Sequence, residues 1–237
     1  MPDFHNINQD GITILFDAQL LPNPDKALFD PQYWRTQGLL SGGAKGRGTT
    51  YFFRYQQLDM VLRHYRRGGL IGKLLQDQYF FTGLEHTRAW QEFYLLADMQ
   101  QDQLPAPVPV AALIERSGLA YRADLITLRI PASVDVFQAL SERALTENQW
   151  ISIGRTIRQL HDQQIFHHDL NIHNLMLDQQ DKIWIIDFDK CRRKGGQKWK
   201  QQNLDRLLRS LHKEKQRQSS FYWQQSDWDG LLAGYNR

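Results

Sequence analysis

Three side chains able to work together on an oxygen nucleophile fall within a short stretch of the chain: Asp169, Asn174 and Asp187. The first two lie in the polar run His167-His168-Asp169-Leu170-Asn171-Ile172-His173-Asn174. The third ends the apolar run Ile183-Trp184-Ile185-Ile186 and is followed by Phe188-Asp189. A carboxylate in a polar loop can take the proton of an attacking hydroxyl. Amide and carboxylate oxygens are the ligands that a hard cation such as Mg2+ prefers. The nearby histidines, His161, His167, His168 and His173, invite a metal-cluster reading instead. No two of them form an i,i+4 pair on a predicted helix, and 167–173 reads as loop, so that reading is set aside.

The spacing is that of protein kinases, whose catalytic loop reads H-R-D-L-x-x-x-N and whose metal-binding element reads D-F-G. The loop matches at His167, Asp169, Leu170 and Asn174, and Asp187-Phe188 follows after an expected hairpin. In that pattern Asp169 is the catalytic base, Asn174 and Asp187 bind Mg2+, and ATP is the phosphoryl donor. Upstream, Ser41-Gly42-Gly43-Ala44-Lys45-Gly46-Arg47-Gly48 carries four glycines in seven residues. It is expected to be a flexible loop whose backbone N–H groups approach phosphate closely. Gly42, Gly43, Lys45 and Gly46 are its candidate nucleotide contacts, although the run is not G-x-x-x-x-G-K-[ST]. Arg63 stands where a kinase has its strand lysine, and Glu92 where a kinase has the helix carboxylate that pairs with it.

These residues need elements to hold them. Ile12–Phe16, Thr49–Tyr55 and Leu58–Tyr65 read as strands, as do Val110–Glu115 and Ala120–Leu128 about a turn at Ser117-Gly118. Glu85–Met99 reads as a helix with Trp90, Phe93, Tyr94 and Leu96 on one side. Thr146-Glu-Asn-Gln149 is a capping box opening a helix through Trp150, Ile153, Ile157 and Leu160. Asn174–Leu177 and Ile183–Ile186 form a hairpin about Asp178–Asp181. Leu204, Leu207, Leu208 and Leu211 mark a last amphipathic helix. The expected class is therefore α+β, a two-lobed protein-kinase-like fold. An N-terminal lobe over 1–130 holds the Gly-rich loop, a sheet and one helix, and a mainly helical C-terminal lobe covers 131–237.

With 237 residues, 41% hydrophobic and 23% charged, the chain suits a soluble globular protein. Met1–Asp10 lacks the basic and apolar regions of a secretory signal, and no apolar run approaches the ~18–20 residues that span a bilayer. A single cysteine, Cys191, excludes an internal disulfide. All this suits the cytoplasm. The net charge of +3 hides an asymmetry, because twelve Lys/Arg face four acids after Asp189. Such a run is either a solvated helix face or a docking face for an anionic partner. On the second reading Arg206, Arg209, Lys213 and Arg217 face an anionic membrane surface. Trp199 and Trp223 could add interfacial anchoring, although burial in the core is the commoner fate of such residues. Arg66-Arg67-Gly68-Gly69, a single RGG-like copy, reads as a turn, and no nucleic-acid partner is expected.

Taken together, Val61–Leu70, Thr87-Arg88 with Glu92, the loop His167–Asn174 and Asp187-Phe188-Asp189-Lys190 resemble the 3-deoxy-D-manno-octulosonic acid (Kdo) kinase family of lipopolysaccharide sugar kinases. The resemblance implies transfer of the ATP γ-phosphoryl to a hydroxyl of Kdo on a lipid A precursor. It also implies peripheral work at the cytoplasmic face of a bacterial inner membrane, with a lipid-linked acidic sugar as partner. Departures from protein kinases bear on this. Arg63 replaces lysine, Asp189 replaces the glycine of D-F-G, and no A-P-E follows. Only 48 residues follow Asp189, too few for a long activation segment plus a peptide-docking platform, so a non-protein acceptor is expected. Another small-molecule or protein kinase of the same fold, and a pseudokinase binding module, stay open as alternatives; the intact Asp169, Asn174 and Asp187 weigh against the pseudokinase.

Overall fold

The computed structural model describes residues 2–45, 49–66 and 77–237. The chain forms two compact units, Met1–Ala97 with Val108–Arg129, and Asp98–Pro107 with Ile130–Arg237. The expected α+β class holds, with a strand-rich first unit and a mainly helical second.

In the first unit the elements are β1 (Phe4–Gln9), β2 (Ile12–Asp17), α1 (Pro31–Thr36), β3 (Leu40–Lys45), β4 (Thr49–Tyr55), β5 (Leu58–His64), β6 (Tyr79–Phe80), most of α2 (Arg88–Gln101), β7 (Pro109–Ser117) and β8 (Ala120–Leu128). The strands make an antiparallel sheet in the order β1-β2-β7-β8-β5-β4-β3, with β6 on the end of β8. Alternation along β5 decides the site: Met60 and Leu62 are buried with Ile14, Phe16, Trp34 and Phe53, while Arg63 projects to the opposite face. Leu128 and Thr127 pair with Met60 and Val61, which fixes that register. Helix α2 buries Phe93, Leu96 and Met99 but leaves Tyr94 exposed, so the expected apolar side is narrower than drawn.

Two expectations need correction here. Ser41–Lys45 is not loop but strand, paired with Thr49–Phe53 across a bulge between Leu40 and Gly42. A side chain at Gly43 would put its Cβ 2.8 Å from the Thr50 carbonyl oxygen, so glycine there serves close strand approach. Gly46, Arg47 and Gly48, and the segment 67–76 with Arg67-Gly68-Gly69 and Leu70, lie outside the described residues. The second correction is α1, a short helix where only one helix was expected in this part. Pro31 at its first position and the Asp30 carboxylate accepting from the Gln32 N–H at 2.8 Å start it.

The second unit contains β9 (Ser133–Asp135), α3 (Val136–Glu142), α4 (Glu147–Asp162), β10 (Ile165–Phe166), β11 (Leu175–Asp178), β12 (Ile183–Ile185), β13 (Arg192–Arg193), α5 (Lys198–Arg217) and α6 (Gln225–Tyr235). Thr146 and Gln149 cap α4 reciprocally, as expected. Helices α4 and α6 meet through glycine: a Cβ on Gly154 would sit 1.9 Å from the Leu231 carbonyl oxygen, and one on Gly234 would sit 2.1 Å from that of Ile151. Strands β11 and β12 form the expected hairpin, with Leu175 opposite Ile185. Trp199 and Trp223 are buried.

Candidate active site

Burial pins the loop after α4. Leu170 and Ile172 are fully buried, while the alternate residues Asp169, Asn171 and His173 stay partly or fully exposed. Burying each aliphatic side chain is worth roughly 1.5–3 kcal/mol, enough to hold the alternation in place. The loop's own polar groups then lock it. Asn171 accepts from the His173 N–H at 2.9 Å, and both Asn171 Nδ2 and Asn174 Nδ2 donate to the Asp169 carbonyl at 2.9 Å.

His167 ties the two halves of the motif together. Its Nδ1 accepts from the Asp169 N–H at 3.2 Å and its Nε2 donates to the Ile186 carbonyl at 3.1 Å. Its ring meets the buried Phe188 edge-on at 5.1 Å. One nitrogen accepting and the other donating is the neutral imidazole, and complete burial holds its pKa below the usual value. The Ile186 N–H also donates to the Asn174 carbonyl at 3.0 Å, which joins Asn174 to the residue before Asp187. Asp187 itself has φ +64°, a left-handed conformation that costs a non-glycine residue on the order of 1 kcal/mol or more.

Sequence reasoning missed the loop's main support, one face of α5. Asn203, Arg206, Ser210 and Glu214 follow one another at helical spacing and meet the loop in chain order. Asn203 Oδ1 accepts from the His167 N–H at 3.2 Å, and Asn203 Nδ2 donates to the His167 carbonyl at 2.8 Å. Ser210 Oγ accepts from the Ile172 N–H at 3.1 Å, and Glu214 Oε1 lies 3.5 Å from His173 Nε2. Arg206 donates through Nε at 2.9 Å and through Nη2 to Asp169 Oδ1. Arg206 is therefore not part of a free basic face, as expected from the charge run. Arg209, Lys213 and Arg217 do remain exposed, four residues apart along one stripe. A signal for the missed face existed: Asn203 and Glu214 interrupt the apolar side of α5, where a polar group is retained only with partners.

Charges in this part of the site are unequal. Burial raises the pKa of Asp169, but the Arg206 hydrogen bond and charge outweigh it, so the carboxyl is held below its usual range. His168 is lowered by burial and by the positive charges of Lys190 and Arg206. Among the described residues no group of three or more His, Cys, Asp or Glu could hold a metal by itself. Asn174, whose N–H end is engaged, and Asp187 offer oxygens instead. Such a sparse set fits Mg2+, which keeps waters and nucleotide oxygens in its shell.

In the first unit Arg63 and Glu92 are brought together. Arg63 Nη2 hydrogen-bonds Glu92 Oε2, and the Tyr65 hydroxyl donates to the same oxygen at 2.7 Å. Glu92 is buried in the N-terminal half of α2. Gly42, Gly43 and the backbone of Lys45 lie on β3, in the same hairpin as Thr50, the cross-strand partner of Arg63.

Comparison with known proteins bears on this arrangement. The family described as lipopolysaccharide kinase (Kdo/WaaP) matches residues 31–235. A 3-deoxy-D-manno-octulosonic acid kinase of Photobacterium profundum is 45% identical, covering 95% of each chain. One of Vibrio cholerae is 47% identical over 85% of this chain and 86% of its own. One of Haemophilus influenzae is 42% identical over 98% of this chain and its full length.

Proposed function

The chain belongs to the lipopolysaccharide kinase (Kdo/WaaP) family, and from that premise we propose that it phosphorylates a hydroxyl of Kdo on a lipid A precursor, using ATP. The observation that carries the assignment of roles is the His167 hub, which fastens the segment bearing Asp169 to the segment bearing Asp187. Asp169 takes the proton as the acceptor oxygen bonds to the γ-phosphorus. The bond from that phosphorus to the β,γ-bridging oxygen breaks, and ADP leaves with the electron pair. Asn174 and Asp187 would hold Mg2+, which when bound neutralises charge on the nucleotide phosphates. Arg63, fixed by Glu92, positions the phosphates; Gly42, Gly43 and the Lys45 backbone, on β3, supply backbone contacts to them, and Gly46, outside the described residues, is assigned the same role from the sequence.

The acceptor is anchored in lipid, and among the described residues no helix is long and apolar enough to cross a membrane. The reading therefore places the enzyme peripherally at the cytoplasmic face of the inner membrane. Its attachment is the stripe Arg209, Lys213 and Arg217, each cation near an anionic surface contributing about 1 kcal/mol.

The test supplies Mg2+-ATP and a Kdo-bearing lipid A precursor in anionic vesicles. The protein should add one phosphate to the sugar, and Asp169→Asn should lower turnover by roughly 10²–10⁴-fold while ATP binding persists. No phosphate on the precursor, or near-normal turnover by folded Asp169→Asn, would overturn the reading.

A further inference from the structure

Of the four α5 side chains that meet the catalytic loop, only Arg206 carries a positive charge, and its pairing is incomplete. Its Nε and Nη2 converge on a single carboxylate oxygen, Oδ1 of Asp169. A guanidinium and a carboxylate pair best as a fork on both oxygens. Among the described residues Nη1 of Arg206 has no hydrogen-bond partner. Both side chains are substantially exposed, 46% for Arg206 and 38% for Asp169. An exposed pair of this kind adds little to stability, so nothing in the fold requires it to persist. Lys190, exposed and without an ion pair among the described residues, adds a second positive charge beside His168.

We propose that Arg206 is the acceptor-binding residue that recognises the carboxylate of the sugar acid. This rests on the function proposed above and deepens it. Without acceptor, the guanidinium sits on Asp169 and occupies the oxygen that a hydroxyl must reach. An arriving sugar acid offers a carboxylate in exchange, so Arg206 trades a one-oxygen contact for a two-oxygen fork. The acceptor hydroxyl, on the same sugar, then takes the vacated place at Asp169. Exchange of one carboxylate for another keeps the guanidinium paired throughout. A neutral sugar has no such group to offer and would have to part Arg206 from Asp169 without replacing its partner. Arg206 thereby selects for an acidic acceptor.

The experiment compares the Kdo-bearing precursor with its carboxyl methyl ester, for the unchanged protein, Arg206→Ala and Arg206→Lys. Esterification should raise the acceptor KM of the unchanged protein by about 10- to 100-fold, the range for losing a charge-assisted hydrogen-bonded pair. Arg206→Ala should show a similar rise with the acid, little further rise with the ester, and a nearly constant KM for ATP. Arg206→Lys, which keeps charge but not the fork, should fall between. If the variant loses equally on acid and ester, Arg206 contacts some other group, such as a precursor phosphate, and the proposal is overturned. An unchanged acceptor KM in Arg206→Ala overturns it as well. If the unchanged protein leaves the precursor unphosphorylated, the functional reading has failed and takes this inference with it. A far-ultraviolet circular dichroism spectrum and melting temperature matched to the unchanged protein exclude misfolding as the cause of any loss.

Discussion

Each of the two units holds an arginine–carboxylate pair at its proposed catalytic edge, and the pairs are built differently. In the first unit the Arg63 and Glu92 side chains are 22% and 3% exposed, and Tyr65 adds a second donor to the carboxylate. In the second, Arg206 and Asp169 are about half in water. A buried charge cannot be left unpaired cheaply, whereas an exposed one exchanges partners at little cost. The first pair is therefore suited to hold a strand to a helix permanently, and the second to open when a substrate competes. Both are the same chemical contact; burial and a third partner separate a clamp from a gate.

The largest expected effect breaks the clamp. Glu92→Ala leaves Arg63 and the Tyr65 hydroxyl facing a desolvated gap, which should cost about 3–5 kcal/mol of folding stability. Urea denaturation of the variant and the unchanged protein measures it. A loss below about 1 kcal/mol would place Glu92 in the same exchangeable class as Asp169, and the contrast between the pairs would collapse.

A smaller effect probes the support behind the gate. His161 lies between Tyr235, whose hydroxyl is 2.8 Å from Nδ1, and Asn203, 3.3 Å from Nε2. Burial, only partly offset by the Asn203 hydrogen bond, lowers its pKa from 6.5 to about 4. A histidine lowered on folding contributes stability fully above the unfolded value, and that contribution is lost progressively as pH falls from the unfolded value towards the folded one. Between about pH 7.5 and pH 5 this amounts to roughly 2 kcal/mol. Carboxylates titrate nearby, so the comparison is with His161→Gln, whose stability should decline less over that interval. Parallel declines would remove His161 as a sensor in the chain of contacts running through Asn203 to His167.

What could be read from the sequence follows how local each signal was. The loop His167–Asn174 and the element at Asp187 are legible as a motif because their residue types fall at the spacing of the kinase pattern, a signal carried within one stretch of chain. The capping box at Thr146 and the β11–β12 hairpin are local for the same reason. Glycine misled at Ser41–Lys45, since freedom in φ and the need for close strand approach select the same residue, and only the partner Thr50 tells them apart. Short α1 carries too few turns for a period to show. Arg206 was hidden because periodicity gives the face of a helix but not what that face meets. Its partner lies 37 residues earlier in the chain.

The smallest expected effect sharpens the comparison through lysine. The Arg63 contact to Glu92 is made by one nitrogen, Nη2, and the same nitrogen reaches the Tyr65 hydroxyl at 3.2 Å. A lysine ammonium is a compact point charge and can replace a single nitrogen, although it lacks the planar fork of arginine. The kinase pattern itself places lysine at that strand position. Arg63→Lys should therefore change stability by less than about 1 kcal/mol and the KM for ATP by only a few fold. At Arg206 two nitrogens converge on one oxygen, and a lysine can supply only one of those contacts from a single position. Arg206→Lys should thus cost more in acceptor KM than Arg63→Lys costs in ATP KM. Steady-state kinetics of the two variants, varying each substrate in turn, decides it. If lysine is tolerated at 206 and not at 63, the clamp depends on guanidinium shape and the gate on charge alone, the reverse of the assignment made from burial.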